Sequence, residues 1–143
     1  MPLENFGSVL NFAIELEQQD AAFYSQAAGN QDCSDCRELF EQLCSEGAKQ
    51  EKTLVRARQE NVTEMILQTI EGLHSGDFFV DRSGPQSLNR KELLKRAADM
   101  EANAEAFYNK AGEALSSLSG VSRTFSRLAA KRRQRRERLE SMS

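Results

Sequence analysis

The sequence predicts an all-α protein, a bundle of four amphipathic helices built as two hairpins joined by a long crossover. Three observations predict it. In four segments the inward-facing positions recur at alternating steps of three and four, which places them on one face of a helix. The first two segments return as the last two. Shifted back by 84, Ala97, Glu101, Ala106, Phe107, Tyr108 and Ala111 fall on Ala13, Glu17, Ala22, Phe23, Tyr24 and Ala27. Shifted back by 85, Phe125, Leu128 and Leu139 fall on Phe40, Leu43 and Leu54. Such self-similarity marks a duplicated structural unit. Finally, helix formers dominate, there are only 2 prolines, and no strand-like alternation stands out.

The first helix is predicted over Gly7–Ala28, with an inward stripe of Leu10, Ala13, Glu17, Tyr24 and Ala28, and Gly29-Asn30 as its stop. The turn Gln31 to Cys36 offers several N-caps. The second helix is predicted over Ser34–Glu60, with the stripe Phe40, Leu43, Gly47, Gln50, Leu54 and Ala57. The connection from Asn61 to Asn89 is too long for a hairpin and reads as a crossover. Within it, Thr63 to Leu73 reads as a short helix, and Phe78, Phe79 and Val80 are expected to tuck against the bundle. Asn89 with Glu92 three residues later has the form of a capping box opening the third helix, which runs to Leu115. Its stripe is Leu94, Ala97, Glu101, Ala104, Tyr108, Ala111 and Leu115. A short loop containing Gly120 leads to the fourth helix, predicted from Val121 or Ser122 to Glu140, with the stripe Phe125, Leu128, Arg132, Arg135 and Leu139.

At 143 residues the chain suits a single domain, 1–143, with a real core. No apolar run approaches the roughly 18 residues that span a bilayer. The N-terminus lacks a basic region followed by an apolar run, so a cytoplasmic location is expected and no membrane association. Charge is uneven: residues 1–120 carry a balance of −9 and residues 121–143 a balance of +6. The basic segment Lys131 to Arg138 also carries an apolar stripe, its charges circle the helix, and no aromatic side chain interleaves them. Docking onto acidic neighbours is therefore expected rather than nucleic-acid binding.

Glu17 and Glu101 are carboxylates on otherwise core-facing stripes, which is costly unless something pairs with them. Their setting, Glu17 to Phe23-Tyr24 with Phe40-x-x-Leu43 and again Glu101 to Phe107-Tyr108 with Phe125-x-x-Leu128, resembles the rubrerythrin branch of the ferritin-like superfamily over nearly the whole chain. The resemblance implies a ferritin-like bundle. In that family two irons are held by one Glu from each of the first and third helices and a Glu-x-x-His from each of the second and fourth. Carried over, Glu17 and Glu101 match the single ligands, with Tyr24 and Tyr108 beside them. The Glu-x-x-His positions hold Gly47 and Gln50 in one copy and Arg132 and Arg135 in the other. The only histidine, His74, lies in the crossover. Glu46, Glu51 and Glu137 would each have to swing inward to substitute. No metal is expected; if one binds, Glu17 and Glu101 are its ligands. In place of iron, the expectation is a buried Arg–Glu network, with Gln50 adding hydrogen bonds and Gly47 leaving room for an arginine.

The function expected is that of a bundle that has lost its di-iron centre and serves in binding or assembly without catalysis. The first alternative is a divergent metal-binding relative with residual peroxidase or ferroxidase activity, with iron as cofactor. The second is a Cys-based redox or zinc protein, because Cys33-x-x-Cys36 has knuckle spacing and Cys44 follows. Against it, zinc usually takes four ligands and a second Cys pair is absent. Cys33 and Cys36 then read as incidental thiols, and Cys44, which aligns with Ala129, as a small core residue. The resemblance also implies a homodimer; no other protein partner can be named.

Overall fold

The computed structural model describes residues 2–61 and 70–143. Its helices are α1 (Phe6–Ala27), α2 (Arg37–Glu60), α3 (Arg90–Ala114) and α4 (Ser119–Met142). α1 pairs with α2 and α3 with α4 as close antiparallel hairpins, whereas the backbones of different hairpins stand farther apart. That wider gap is where large side chains fit.

Each helix starts for a local reason. The Asn5 side chain accepts from Ser8 N–H at 2.8 Å while Ser8 Oγ accepts from Asn5 N–H, a reciprocal cap. Asn89 accepts from Glu92 N–H at 2.9 Å, but Glu92 meets the Asn89 side-chain amide rather than its backbone. The expected capping box is thus half formed. α2 begins at Arg37, later than expected, because residues 31–36 form a tighter 3₁₀ turn broken by non-helical Cys33. α4 begins at Ser119, slightly earlier than expected.

Most of the short helix expected at Thr63–Leu73 lies outside the described residues; within them, Ile70 to Leu73 is not helical. Leu3 N–H donates to Leu73 C=O and Ile70 N–H to Glu4 C=O, both at 2.8 Å, pinning the end of this segment to the chain before α1. Gly84 turns the later crossover at φ +61°, a conformation that favours glycine. Phe78 is buried with its ring 5.3 Å from Phe107. Phe79, expected to tuck in, is instead 78% exposed: the 3₁₀ turn Ser75–Phe78 ends on the buried Phe78, and the chain turns extended at Phe79. None of the described helices is long and apolar enough to cross a membrane.

Two apolar clusters fill the bundle. One, near the start of α1, holds Phe6, Leu10, Leu54, Tyr108, Phe125 and Leu128. The other, near its end, holds Tyr24, Cys33, Cys36, Phe40, Leu43 and Leu139. On every helix the residues between the two clusters are the unusual ones: Glu17 and Asp20, Gly47 and Gln50, Glu101, and Arg132 with Arg135. A polar layer therefore crosses the middle of the core.

Candidate functional site

Arg132 is the hub of that layer. Four turns of apolar stripe on α4 aim it inward, and its side chain is about 1% exposed. Its Nη2 donates to Glu17 at 2.7 Å. Its Nη1 donates to Asp20 at 2.8 Å and reaches both Glu101 oxygens at 3.0 and 3.1 Å. One guanidinium thus touches three carboxylates from two helices. Arg135, one turn on, donates through Nη2 to Glu101 at 3.2 Å and lies over the Tyr24 ring, 5.7 Å from its centroid.

The tyrosines exchange partners across the duplication. Tyr24 of the first copy donates its hydroxyl to Glu101 of the second, and Tyr108 of the second donates to Glu17 of the first at 3.0 Å. The pseudo-twofold symmetry breaks at Asp20, whose counterpart is Ala104. Arg82, from the crossover, donates to Asp20 at 2.6 Å and closes the layer on one side. Three carboxylates and three guanidinium groups then balance in charge.

The electrostatics follow from burial and crowding. Burial favours loss of the Arg132 proton, but Glu101, Glu17 and Asp20 outweigh it and hold the guanidinium charged, well above its ordinary pKa. Burial pushes the Glu17 carboxyl up more than Arg132 and Arg135 pull it down, and neighbouring Asp20 and Glu101 add to the rise. Both phenols are held protonated well above 10, first by burial and then by the carboxylate each faces, Glu101 for Tyr24 and Glu17 for Tyr108. Above pH 10 the unfolded phenols lose their protons before the folded ones. The native state then binds more protons, so stability falls as pH rises. Urea unfolding between about pH 8 and 11 is expected to show that fall, with a shallower one in a Tyr24→Phe/Tyr108→Phe variant. Equal slopes would mean that the two hydroxyls do not carry it.

Of the positions read from the sequence, Glu17, Glu101, Arg132, Arg135, Tyr24 and Tyr108 come together. Gln50 is buried but has no hydrogen-bond partner among the described residues, contrary to the expectation, because the arginines already meet the carboxylates. A Cβ at Gly47 would stand 3.3 Å from Ala21 Cβ and 3.7 Å from Glu17 O. That glycine serves the close approach of α1 and α2, and the atoms nearest it are not those of an arginine. Glu46 pairs with Arg138 at 2.6 Å, Glu51 accepts from Gln18 at 3.0 Å, and Glu137 is exposed, so none of the three turns inward. Arg136 docks on Glu105 at 2.7 Å, so much of the basic segment is spent inside this chain.

Two members of the layer were not foreseen. Asp20 lies three residues after Glu17 and four before Tyr24 on the inward face, and its repeat partner Ala104 was already on the third stripe; the duplication marked the position as internal. Arg82 carries no such signal, since the crossover has neither period nor repeat.

The thiols lie apart from this layer. Cys33 and Cys36 are fully buried and free of disulfide, while Cys44 is only half-buried rather than a core residue. Burial and then the adjacent Cys36 push the Cys33 thiol up to about 12, so it rests protonated and is a poor nucleophile.

No curated protein and no solved structure matches the chain significantly. The family model of the ferritin-like domain matches residues 7–131, which span all four helices down to the turn before Arg132. The chain, a four-helix bundle with a polar layer at its centre, belongs to the ferritin-like domain family.

Proposed function

We propose that this is a rubrerythrin-like bundle in which an arginine–carboxylate cluster replaces the di-iron centre, and that the protein serves in binding or assembly rather than catalysis. The observation that carries the reading is the Arg132 guanidinium on Glu17, Asp20 and Glu101 at 2.7, 2.8 and 3.0 Å. An iron pair needs several anionic or imidazole ligands with free lone pairs. Here the three candidate carboxylates are engaged by cations and phenols. The other ligand positions hold Gly47, an amide (Gln50) and two guanidinium groups, none of which suits iron. The residues present do not fit that group, and the fixed positive charges do the neutralising that a metal would do, with no hydration or loading step. Arginine suits this task because its planar fork serves several oxygens at once and its charge survives burial.

Metal analysis of protein purified without chelator tests the reading. Iron is expected far below about one per chain, and no iron-dependent oxidation or peroxide turnover should appear on adding ferrous iron. About two irons per chain, lost together with Glu17→Gln/Glu101→Gln, would overturn it. The reading also includes a cytoplasmic homodimer; light scattering that returns only the monomer mass would remove the dimer.

A further inference from the structure

The end of the bundle where α1 hands over to α2 carries a second group of chemistry-bearing side chains. The Asn30 side chain caps the 3₁₀ turn through Asp32 N–H at 2.9 Å and ties it to the crossover by donating to the Pro85 and Leu88 carbonyls, each at 2.8 Å. In that braced turn the sulfurs of Cys33 and Cys36 and a carboxylate oxygen of Asp35 all lie within 4.8 Å of one another. Both sulfurs are fully buried, and Asp35 stands at the surface beside them. Arg90, the first residue of α3, clasps Asp35 through Nη2 at 2.9 Å and Nε at 3.1 Å, and also donates to the backbone carbonyl of Met142. The Met142 side chain packs on the apolar cluster that contains both cysteines.

We propose that Cys33 and Cys36 form a binding site for one thiophilic monovalent ion of the Cu(I) class, held between two thiolates. The donors at hand are soft: two thiols, with a thioether packed on the same cluster. Soft ligands select Cu(I) over the harder divalent ions. The one hard donor, Asp35, is already committed to Arg90. A structural zinc site needs four ligands. Among the described residues no further Cys, Asp, Glu or His joins the group, and His74 lies at the opposite end beside Pro2. Two-coordinate Cu(I) needs no more than the sulfurs supply.

Two thiols and one Cu(I) give a dithiolate complex of charge −1 with release of two protons, and no electron changes hands. Beside the sulfurs, Asp35 and Arg90 form an ion pair at 2.9 Å, so the carboxylate is balanced where the complex would sit. This site is independent of the Arg132 layer, so either reading can fail without the other.

The test is an anaerobic titration of the full chain with Cu(I) held by bicinchoninate. The protein is expected to withdraw about one copper per chain and to develop a thiolate-to-copper charge-transfer band in the ultraviolet. Cys33→Ala/Cys36→Ala, which keeps the pocket apolar, should withdraw none, and Cys44→Ala should behave as the parent. X-ray absorption on the loaded parent gives a second readout that needs no variant, with two or three sulfur neighbours and no nitrogen expected. The proposal fails if all copper stays with bicinchoninate, if the double variant keeps it, or if the ion has nitrogen or oxygen neighbours. It fails too if zinc alone fills the site and blocks copper at equal concentration.

Discussion

Arg132→Met is expected to cost roughly 3–5 kcal/mol of folding stability at neutral pH, the scale for breaking a buried charge cluster by removing one partner. The methionine fills much of the volume, so the loss is electrostatic rather than a cavity. Its weight falls unevenly. Asp20 keeps Arg82, and Glu101 keeps Arg135 and Tyr24. Among the described residues, Glu17 keeps the Tyr108 hydroxyl as its side-chain hydrogen bond and otherwise only the unbonded charge of Arg135. Already raised by burial in the parent, the Glu17 pKa should rise further once Arg132 is gone. A folded-state carboxyl pKa above the unfolded value of 4.5 means that the native state binds the extra proton. The variant should therefore gain stability as pH falls from neutral toward 4.5. Glu17→Gln in the same background should recover more than about 1 kcal/mol, because it removes the stranded charge and keeps an acceptor for Tyr108. Urea unfolding at two pH values checks both. If Arg132→Met unfolds with the parent's midpoint, the guanidinium is not neutralising buried charge.

Glu101→Leu is expected to lose a similar roughly 3–5 kcal/mol, for the opposite reason. Glu101 accepts from Tyr24, Arg132 and Arg135 together. Without it Arg135 loses the carboxylate it bonds, and among the described residues its Nη1 already lacks a hydrogen-bond partner in the parent. The Tyr24 ring and the unbonded Glu17 charge then remain to it. Arg135→Met alone should be milder, since Glu101 retains Arg132 and Tyr24. The double variant Glu101→Leu/Arg135→Met should lose less than the sum of the singles by about 1 kcal/mol or more. The order of stability at neutral pH then runs parent, Arg135→Met, Arg132→Met. Additive losses, or an Arg135→Met variant weaker than Arg132→Met, would show that the hub has been placed on the wrong arginine.

The charged layer need not make the fold more stable than an apolar core of the same shape would be. It does fix register. Each tyrosine reaches the other copy's glutamate, so a helix sliding by one turn breaks both hydrogen bonds at once. Binary patterning alone would tolerate such a slip, because Leu94, Ala97, Ala104 and Ala111 offer similar apolar surface at intervals of one or two turns.

The amino-acid sequence by itself determined the four helices and their inward faces, consequences of a 3.6-residue period read twice through one duplication, and periodicity survives without knowledge of neighbours. The meeting of Glu17 and Glu101 with Arg132 and Arg135 was legible only through the resemblance, which implies that those four positions share one level of the bundle. The chain of local signals stops where contacts join segments far apart. Asp20 became a third partner of Arg132 because the long Arg132 side chain reaches across the core from α4 to α1, 112 residues away in the chain. Arg82 entered because the crossover runs past α1, and Phe79 faces outward where the chain leaves its 3₁₀ turn. The roles of Gly47 and Gln50 were likewise decided in three dimensions: the spacing of two backbones determines what a glycine meets, and which donor reaches a carboxylate first determines whether an amide is needed. Cys33, Cys36 and Asp35 are close in sequence, but their convergence depends on a 3₁₀ turn in place of the α-helical start that propensity suggests. Propensity describes single residues, whereas that turn is held by Asn30 bonded to carbonyls 55 and 58 residues further along the chain.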